Sequence, residues 1–372
     1  MNRKIPFDYW LLLITFALVL VGIVMVYSAS SIYALQKYQD SYFFLYRQGI
    51  YAAIGFVLLT VLLFTDYHSL YRVIYPFLGL SLLLMLVTYI PGLGHKVAGA
   101  QRWISLFGFK FQPSEMAKYA LIFYLSYSLS KKEGNVKSFI IGFLPHLLVS
   151  GVFLMLLLGQ PDFGTVIVIS YLVFLMLFVA GARLSYIASA ILISAPVIWF
   201  LIASKPYRQK RILAFLNPWD DPANTGFQII QSFLAFYSGK IWGRGLGDGM
   251  QKLFYLPEAH TDFIFSVIGE ELGFLGIGGL LFLFLIFMYR GIRIAVKAPD
   301  LFGTYLAFGI TTLISFQALI NIAVVMGLLP TKGLALPFLS YGGTSLVANL
   351  AAVGILLNIS AQQQEISWRA YR

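Results

Sequence analysis

Long apolar runs separated by short polar segments cover nearly the whole chain. A helix needs roughly 20 apolar residues to cross about 30 Å of hydrocarbon, and ten runs meet or approach that length. They lie near residues 8–28, 49–65, 70–90, 114–130, 138–158, 165–180, 186–203, 262–290, 302–328 and 343–360. No polar stretch is long enough for a separate soluble core. The pattern therefore predicts an all-α polytopic membrane protein, a single domain over 1–372 with ten transmembrane helices.

A longer connection, about residues 204–261, separates the seventh and eighth predicted helices, and we expect a large extracytoplasmic loop there. It contains a basic cluster at 205–211, a segment at 227–239 that is typical of an interfacial amphipathic helix, and a flexible glycine run, "GRGLGDG", at 243–249. The glycine run does not indicate a nucleotide site, because no strand precedes it and no helix follows it.

Composition supports a membrane protein and the charge pattern suggests its orientation. Of 372 residues, 59% are hydrophobic and 11% are charged, against roughly 25% charged residues in soluble domains. The net charge of +11 resides mainly between apolar runs, which favours anionic headgroups or substrates over nucleic acid. Short loops favour both termini on the cytoplasmic side, although counting the long loop would erase that bias. Cysteine is absent, so disulfides and thiolate metal sites are excluded.

Several ionisable residues fall at membrane depth, where each costs about 2.5 to 3.5 kcal/mol. Glu115 and Lys118 are three residues apart in the fourth predicted helix, a spacing that favours an ion pair. Asp162, in the turn "GQPDFGT", is predicted to cap the sixth helix. His146 follows Pro145 and is expected to make a packing hydrogen bond.

The segment "YLPEAHTDFIFSVIGEELG" (255–273) places Glu258, His260 and Asp262 at the start of the eighth predicted helix. One interpretation makes Asp262 only an N-cap. The other makes it a base at the outer rim of the membrane, kept ionised by the helix dipole and facing a membrane-anchored substrate.

Two further positions have open alternatives. Glu270 and Glu271 lie about two turns into the same helix and are expected to neutralise buried cations or to remain protonated. Lys332 lies in the structured outer turn at 327–345. It is expected either to face an anionic headgroup or to be a solvated lysine.

Seven motifs in one order resemble the SEDS family of bacterial cell-wall synthesis (shape, elongation, division and sporulation). They are "YSAS" (27–30), "GAQRWI" (99–104), "QPSEMAK" (112–118), "QPDFGT" (160–165), "YLPEAHTDFIF" (255–265), "EELG" (270–273) and "PFLSYGG" (337–343). The set spans most of the chain and is highly specific. "LPEAHTDF" and "PTKG" resemble the division and sporulation branch more than the rod-shape branch.

The resemblance implies a peptidoglycan glycosyltransferase that polymerises lipid II at the outer face of the bacterial cytoplasmic membrane. The family's essential aspartate falls on Asp262 and its ion pair on Glu115 and Lys118. Further functionally sensitive positions fall on Arg102, Asp162 and Glu258. The resemblance also implies a monofunctional, class B penicillin-binding transpeptidase as partner, together with other division or elongation proteins.

The chemistry fits this assignment. Asp262 would accept the proton of the attacking sugar hydroxyl, and Arg102, Lys118 or the cluster at 205–211 would face the departing pyrophosphate. A Mg²⁺ or Mn²⁺ ion shared with the substrate is compatible with these ligands, and no compact metal motif is visible. A lipid II flippase and a scaffold for the transpeptidase stay open as alternatives.

Overall fold

The structure, a computed structural model, describes residues 7–92, 94–97, 100–106, 109–204, 206–252, 256–257 and 259–370. Ten of its α-helices follow the ten predicted apolar runs, and the other two, α8 and α9, lie in the long connection. The helices are α1 (Tyr9–Tyr38), α2 (Phe43–Phe64), α3 (Ile74–Val87), α4 (Pro113–Lys131), α5 (Leu144–Gly159), α6 (Phe163–Val179), α7 (Leu184–Ala203), α8 (Pro206–Leu216), α9 (Phe227–Gly239), α10 (Ile264–Lys297), α11 (Leu301–Val325) and α12 (Gly343–Ala370).

Six segments of the described chain are long and apolar enough to cross a membrane. They are α1, α2, Phe139–Gly159, α10, α11 and the Gly343–Gln363 part of α12. Shorter apolar helices are α3, α6 and Leu184–Phe200 of α7. These helices show that the chain is a multi-pass membrane protein. The number of ten membrane crossings stays a prediction.

Helix α4 belongs to neither group, and its position explains why. Nearly every residue from Pro113 to Leu129 is buried, and the helix packs against α3, α6 and α11. A helix enclosed by other helices needs no apolar surface toward lipid, so it tolerates Glu115 and Lys118 once they are paired.

A three-stranded antiparallel sheet lies between α3 and α4, where the all-α prediction had only a loop. Its strands are β1 (Gly94–Val97), β2 (Ala100–Leu106) and β3 (Phe109–Phe111), in the order β1-β2-β3. The longest strand, β2, has the sequence "AQRWISL", in which apolar and polar residues do not alternate, and β3 has only three residues, so the pattern gave no strand signal. The sheet places Arg102 close to the turn between α5 and α6.

Helix α10 is broken at Gly273, whose φ of 65° and ψ of −164° are open essentially to glycine alone. The segment from Lys240 to Gly245 closes the break with backbone hydrogen bonds. Phe274 N and Leu275 N donate to Lys240 O and Ile241 O at 2.9 and 3.2 Å, while Arg244 N and Gly245 N donate to Glu270 O and Glu271 O at 3.0 and 3.1 Å. A Cβ at position 273 would lie 2.3 Å from Gly243 N. The glycine run, expected to be flexible, thus begins with a fixed backbone that fills the broken helix.

At the end of the bundle opposite Asp262, a histidine bridges two carboxylates. His68 Nδ1 lies 2.8 Å from Asp66 Oδ1, and His68 Nε2 lies 2.8 Å from Asp300 Oδ2. Asp66 also accepts a hydrogen bond from Gln362 of α12 at 2.9 Å. The bridge therefore ties the connection between α2 and α3 to α11 and α12.

This bridge predicts a pH dependence of stability. Burial lowers the pKa of His68, but its hydrogen bonds to Asp66 and Asp300 outweigh burial and raise that pKa above its ordinary value. A raised pKa means that protonated His68 stabilises the fold at low pH, and this contribution is lost as pH rises through the folded-state pKa. We expect the thermal midpoint in detergent to fall more between about pH 6 and 8 for wild type than for His68→Gln. Parallel midpoint curves would contradict the assignment.

Candidate active site

Asp262 lies in the turn that precedes α10, at one end of the bundle. The N-cap residue of α10 is Phe263, so the interpretation that places Asp262 at the N-cap position is wrong: the helix begins two residues after it. Its side chain is half-buried. A Cβ on Gly333 would lie 3.1 Å from Asp262 Oδ2, so the carboxylate lies against the loop between α11 and α12.

The backbone around Asp262 is held at three consecutive carbonyl groups. Tyr341 N, Ser340 Oγ and Asn321 Nδ2 donate to the carbonyl oxygens of His260, Thr261 and Asp262 at 3.0, 2.6 and 2.9 Å. The first two donors belong to the loop between α11 and α12, and the third belongs to α11. The backbone that carries the carboxylate is therefore held by elements far away in sequence.

His260 is enclosed by aromatic rings. The ring centroids of Tyr33, Phe44 and Tyr341 lie 5.5, 4.8 and 6.0 Å from that of His260. This packing holds the turn before α10 in addition to the backbone hydrogen bonds. Glu258, the other sequence candidate in this turn, lies outside the described residues.

The predicted ion pair in α4 is confirmed. Lys118 Nζ lies 2.8 Å from Glu115 Oε1, and the two residues are only 1% and 6% exposed. Lys118 Nζ also donates to Gln317 Oε1 of α11 at 2.7 Å. The pair thus joins two helices in the interior.

Arg102 and Asp162 meet at the turn between α5 and α6. Asp162 caps α6 as predicted, because its side chain accepts from Thr165 N at 3.3 Å. Arg102 donates to the carbonyl oxygens of Gln160, at 3.2 Å, and Pro161, and its Nη1 lies 3.7 Å from Asp162 Oδ1. These contacts attach β2 to the α5–α6 turn.

Basic side chains reach the same end of the bundle as Asp262. Lys332 is half-buried in the loop between α11 and α12, and burial lowers the pKa of its amine. Arg211 Nη1 of α8 lies 3.4 Å from Thr331 O, and the Arg208 guanidinium lies 5.4 Å from the Phe163 ring centroid. Of the basic cluster at 205–211, Lys205 lies outside the described residues.

The two carboxylates of "EELG" have different partners. Glu271 pairs with Lys252 at 3.0 Å and accepts from Ser28 Oγ at 2.7 Å, so its predicted neutralisation of a buried cation is confirmed. Glu270 accepts from two backbone amides, Met250 N at 2.9 Å and Gln251 N at 3.1 Å, and its Oε1 also lies 4.0 Å from Arg244 Nη1. Both fix the chain that leads into the turn with Asp262.

Sequence reasoning missed Gln317, Asn321 and Ser340. The signal was available for the first two, since an amide pair four residues apart in an otherwise apolar helix shares one face and needs buried partners. No group of three or more His, Cys, Asp or Glu side chains within the described ranges is placed to hold a metal ion.

Fold and site together define a multi-pass helical membrane protein with a half-buried carboxylate on a fixed backbone at one end and buried ion pairs behind it. The chain belongs to the FtsW, RodA and SpoVE family, described as "Cell cycle protein", which matches residues 9–365. It is 52% identical over 356 residues to the probable peptidoglycan glycosyltransferase FtsW of Geobacter sulfurreducens (strain DL-1 / KN400), covering 96% of this chain and 95% of that one. Stage V sporulation protein E of Bacillus subtilis (strain 168) is 44% identical, with coverage of 96% and 98%.

Solved structures show the same fold. Rod shape determining protein RodA of Thermus thermophilus is 28% identical with a TM-score of 0.71, over 98% of this chain and 99% of RodA. A chain from a peptidoglycan synthase complex that coordinates polymerization and crosslinking is 29% identical with a TM-score of 0.79, over 96% and 98%. The resemblance in the seven sequence motifs is thus confirmed over nearly the full length.

Proposed function

We propose that this chain is a peptidoglycan glycosyltransferase that polymerises lipid II into glycan strands, with Asp262 as its general base. The observation behind this assignment is the half-buried Asp262 carboxylate, whose backbone is fixed at three consecutive carbonyls. A base must stay in place while substrate arrives, and preorganisation of this kind is what catalysis requires. The names of relatives give the reaction class.

The chemistry is a single displacement. The acceptor sugar hydroxyl attacks the anomeric carbon of the donor sugar, and Asp262 takes the proton of that hydroxyl as the new carbon–oxygen bond forms. The bond from the anomeric carbon to the pyrophosphate breaks, and its electron pair leaves with the lipid pyrophosphate. Because attack and departure occur on opposite faces, the anomeric configuration inverts.

The departing pyrophosphate requires positive charge. Lys332, Arg208 and Arg211 lie at the same end of the bundle as Asp262 and are suited to this role. A Mg²⁺ or Mn²⁺ ion would take most of its ligands from the pyrophosphate oxygens, because the described side chains do not form a site of their own.

In this proposal, ten helices cross the bacterial cytoplasmic membrane with both termini in the cytoplasm. The end with Asp262, the sheet and helices α8 and α9 then faces outward, where lipid II is polymerised. The partner would be a class B penicillin-binding transpeptidase, which crosslinks the strands. Division is the favoured process, since the named relatives include FtsW and a sporulation protein.

Polymerisation by purified protein tests the proposal against its rivals. Detergent-solubilised protein is incubated with lipid II, a divalent ion and the expected transpeptidase, and products are resolved by length. We expect long glycan strands. If strands are absent while vesicles containing the protein translocate lipid II, a flippase is the better assignment. If neither activity occurs and only transpeptidase binding remains, the chain is a scaffold.

A further inference from the structure

Helix α11 presents two buried amides to the loop that faces Asp262. Gln317 and Asn321 are 2% and 1% exposed, and their spacing of four residues places them on one side of the helix. Gln317 Nε2 donates to Ala335 O at 3.0 Å, and Asn321 Nδ2 donates to Leu334 O at 2.6 Å. Consecutive carbonyls of the loop are thus attached to consecutive turns of α11.

The same two amides also reach the residues of the proposed mechanism. Asn321 Nδ2 donates a second hydrogen bond, to Asp262 O at 2.9 Å. Gln317 Oε1 accepts from Lys118 Nζ at 2.7 Å. Each amide therefore joins the loop to a different functional group, Asn321 to the proposed base and Gln317 to the ion pair of α4.

The burial of Lys118 limits what that ion pair can do. Its side chain is 2% exposed, and Nζ is already engaged by Glu115 Oε1 and Gln317 Oε1. A cation enclosed in this way is poorly placed to touch a substrate pyrophosphate. What it can do is fix the orientation of Gln317, because an amide that accepts from an ammonium must direct its own NH₂ group toward Ala335.

We infer that Gln317 and Asn321 are positioning residues. They connect the Glu115–Lys118 ion pair to the loop between α11 and α12 and hold that loop in place, and the loop in turn positions Asp262. The inference rests on the proposed function of Asp262. Gly333 is the point of contact, since its Cα lies close enough to Asp262 Oδ2 that an added Cβ would be 3.1 Å away. A shift of this loop would displace the carboxylate from the attacking hydroxyl, and a 1 Å misplacement can cost about 10²-fold in rate.

The chain offers a matched control at the opposite end. Asn358 of α12 is also buried, donates to Leu63 O at 2.8 Å and accepts from Tyr67 N at 3.0 Å. Asn358→Leu therefore removes interhelical amide hydrogen bonds comparable to those of Asn321→Leu, but far from Asp262. We expect both variants to lose stability and only Asn321→Leu to lose catalytic rate.

The experiment measures kcat and KM for lipid II in the full-length protein for Gln317→Leu, Asn321→Leu and Asn358→Leu, with thermal midpoints recorded in parallel. We expect kcat to fall about 10- to 100-fold for the first two, with KM within about two-fold of wild type. Asn358→Leu should lower the thermal midpoint similarly and leave kcat within about two-fold of wild type. A raised KM with unchanged kcat in Gln317→Leu would overturn the inference, because it indicates lost substrate binding rather than misplacement.

Ser340→Ala gives the same test with a smaller risk to folding. It deletes one hydroxyl, which donates to Thr261 O and accepts from Leu336 N at 2.8 Å, and we expect kcat to fall by about five- to ten-fold with unchanged KM. Wild-type rates in the folded α11 variants and in Ser340→Ala would overturn the inference while leaving the proposed function intact. If wild type itself makes no strands, the proposed function fails and the inference fails with it.

Discussion

Asp262→Asn is expected to lower the initial rate of glycan-strand synthesis by about 10²- to 10⁴-fold, the usual contribution of a positioned general base. Asparagine keeps the shape of the side chain and leaves the hydrogen bond from Asn321 to the backbone carbonyl of residue 262 in place. What it loses is the ability to accept a proton. The rate is measured with purified lipid II, with strands resolved by length, and the thermal midpoint should stay close to that of wild type.

Asp248→Asn is the matched control for this variant. Asp248 is exposed and belongs to the same long connection between α7 and α10, so the change in charge is identical, and Asp248 has no part in the proposed chemistry. We expect its rate to remain within about two-fold of wild type. An Asp262→Asn protein that retains more than about a tenth of the wild-type rate would remove Asp262 from the role of base.

The helices were predictable because the bilayer dictates their length and apolarity. Helices occur at all ten predicted runs, and the Glu115–Lys118 pair followed from a three-residue spacing within one helix. The cap formed by Asp162 was equally local. In both of these contacts the interacting groups lie within one turn of helix, so their spacing in the sequence is enough to predict that they meet.

Features that depend on distant contacts were not predictable. The break at Gly273 is stabilised by residues about thirty positions earlier, and a glycine in an apolar helix equally predicts close helix packing. Asn321 lies 59 residues after Asp262, the residue whose backbone it holds. The N-cap interpretation of Asp262 was wrong by one residue, because the turn continues through Phe263 before α10 begins. Sequence patterns locate helix ends only to within a few residues.

A large loss of stability is expected when the buried ion pair of Lys252 and Glu271 is broken. Their side chains are 6% and 0% exposed, and Nζ lies 3.0 Å from Oε1. Removing one partner leaves an uncompensated charge in the interior, which typically costs about 3 to 5 kcal/mol. We therefore expect Lys252→Met and Glu271→Leu each to lower the free energy of unfolding by about that amount.

The double variant separates the cost of a lone charge from the value of the pair. Replacing both residues by apolar side chains removes both desolvation costs, so Lys252→Met/Glu271→Leu should be less destabilised than either single variant. Unfolding in mixed micelles measures all three, with Lys210→Met, an exposed cation of α8, as a control expected to change stability by less than about 0.5 kcal/mol. Additive losses in the double variant would show that the two residues do not act as a pair. The expected result would show that Lys252 and Glu271 act as an ion pair that holds the chain before Asp262 against the broken helix α10. Two further contacts support the pair: Glu271 accepts from Ser28 Oγ of α1, and Lys252 Nζ donates to Gly247 O.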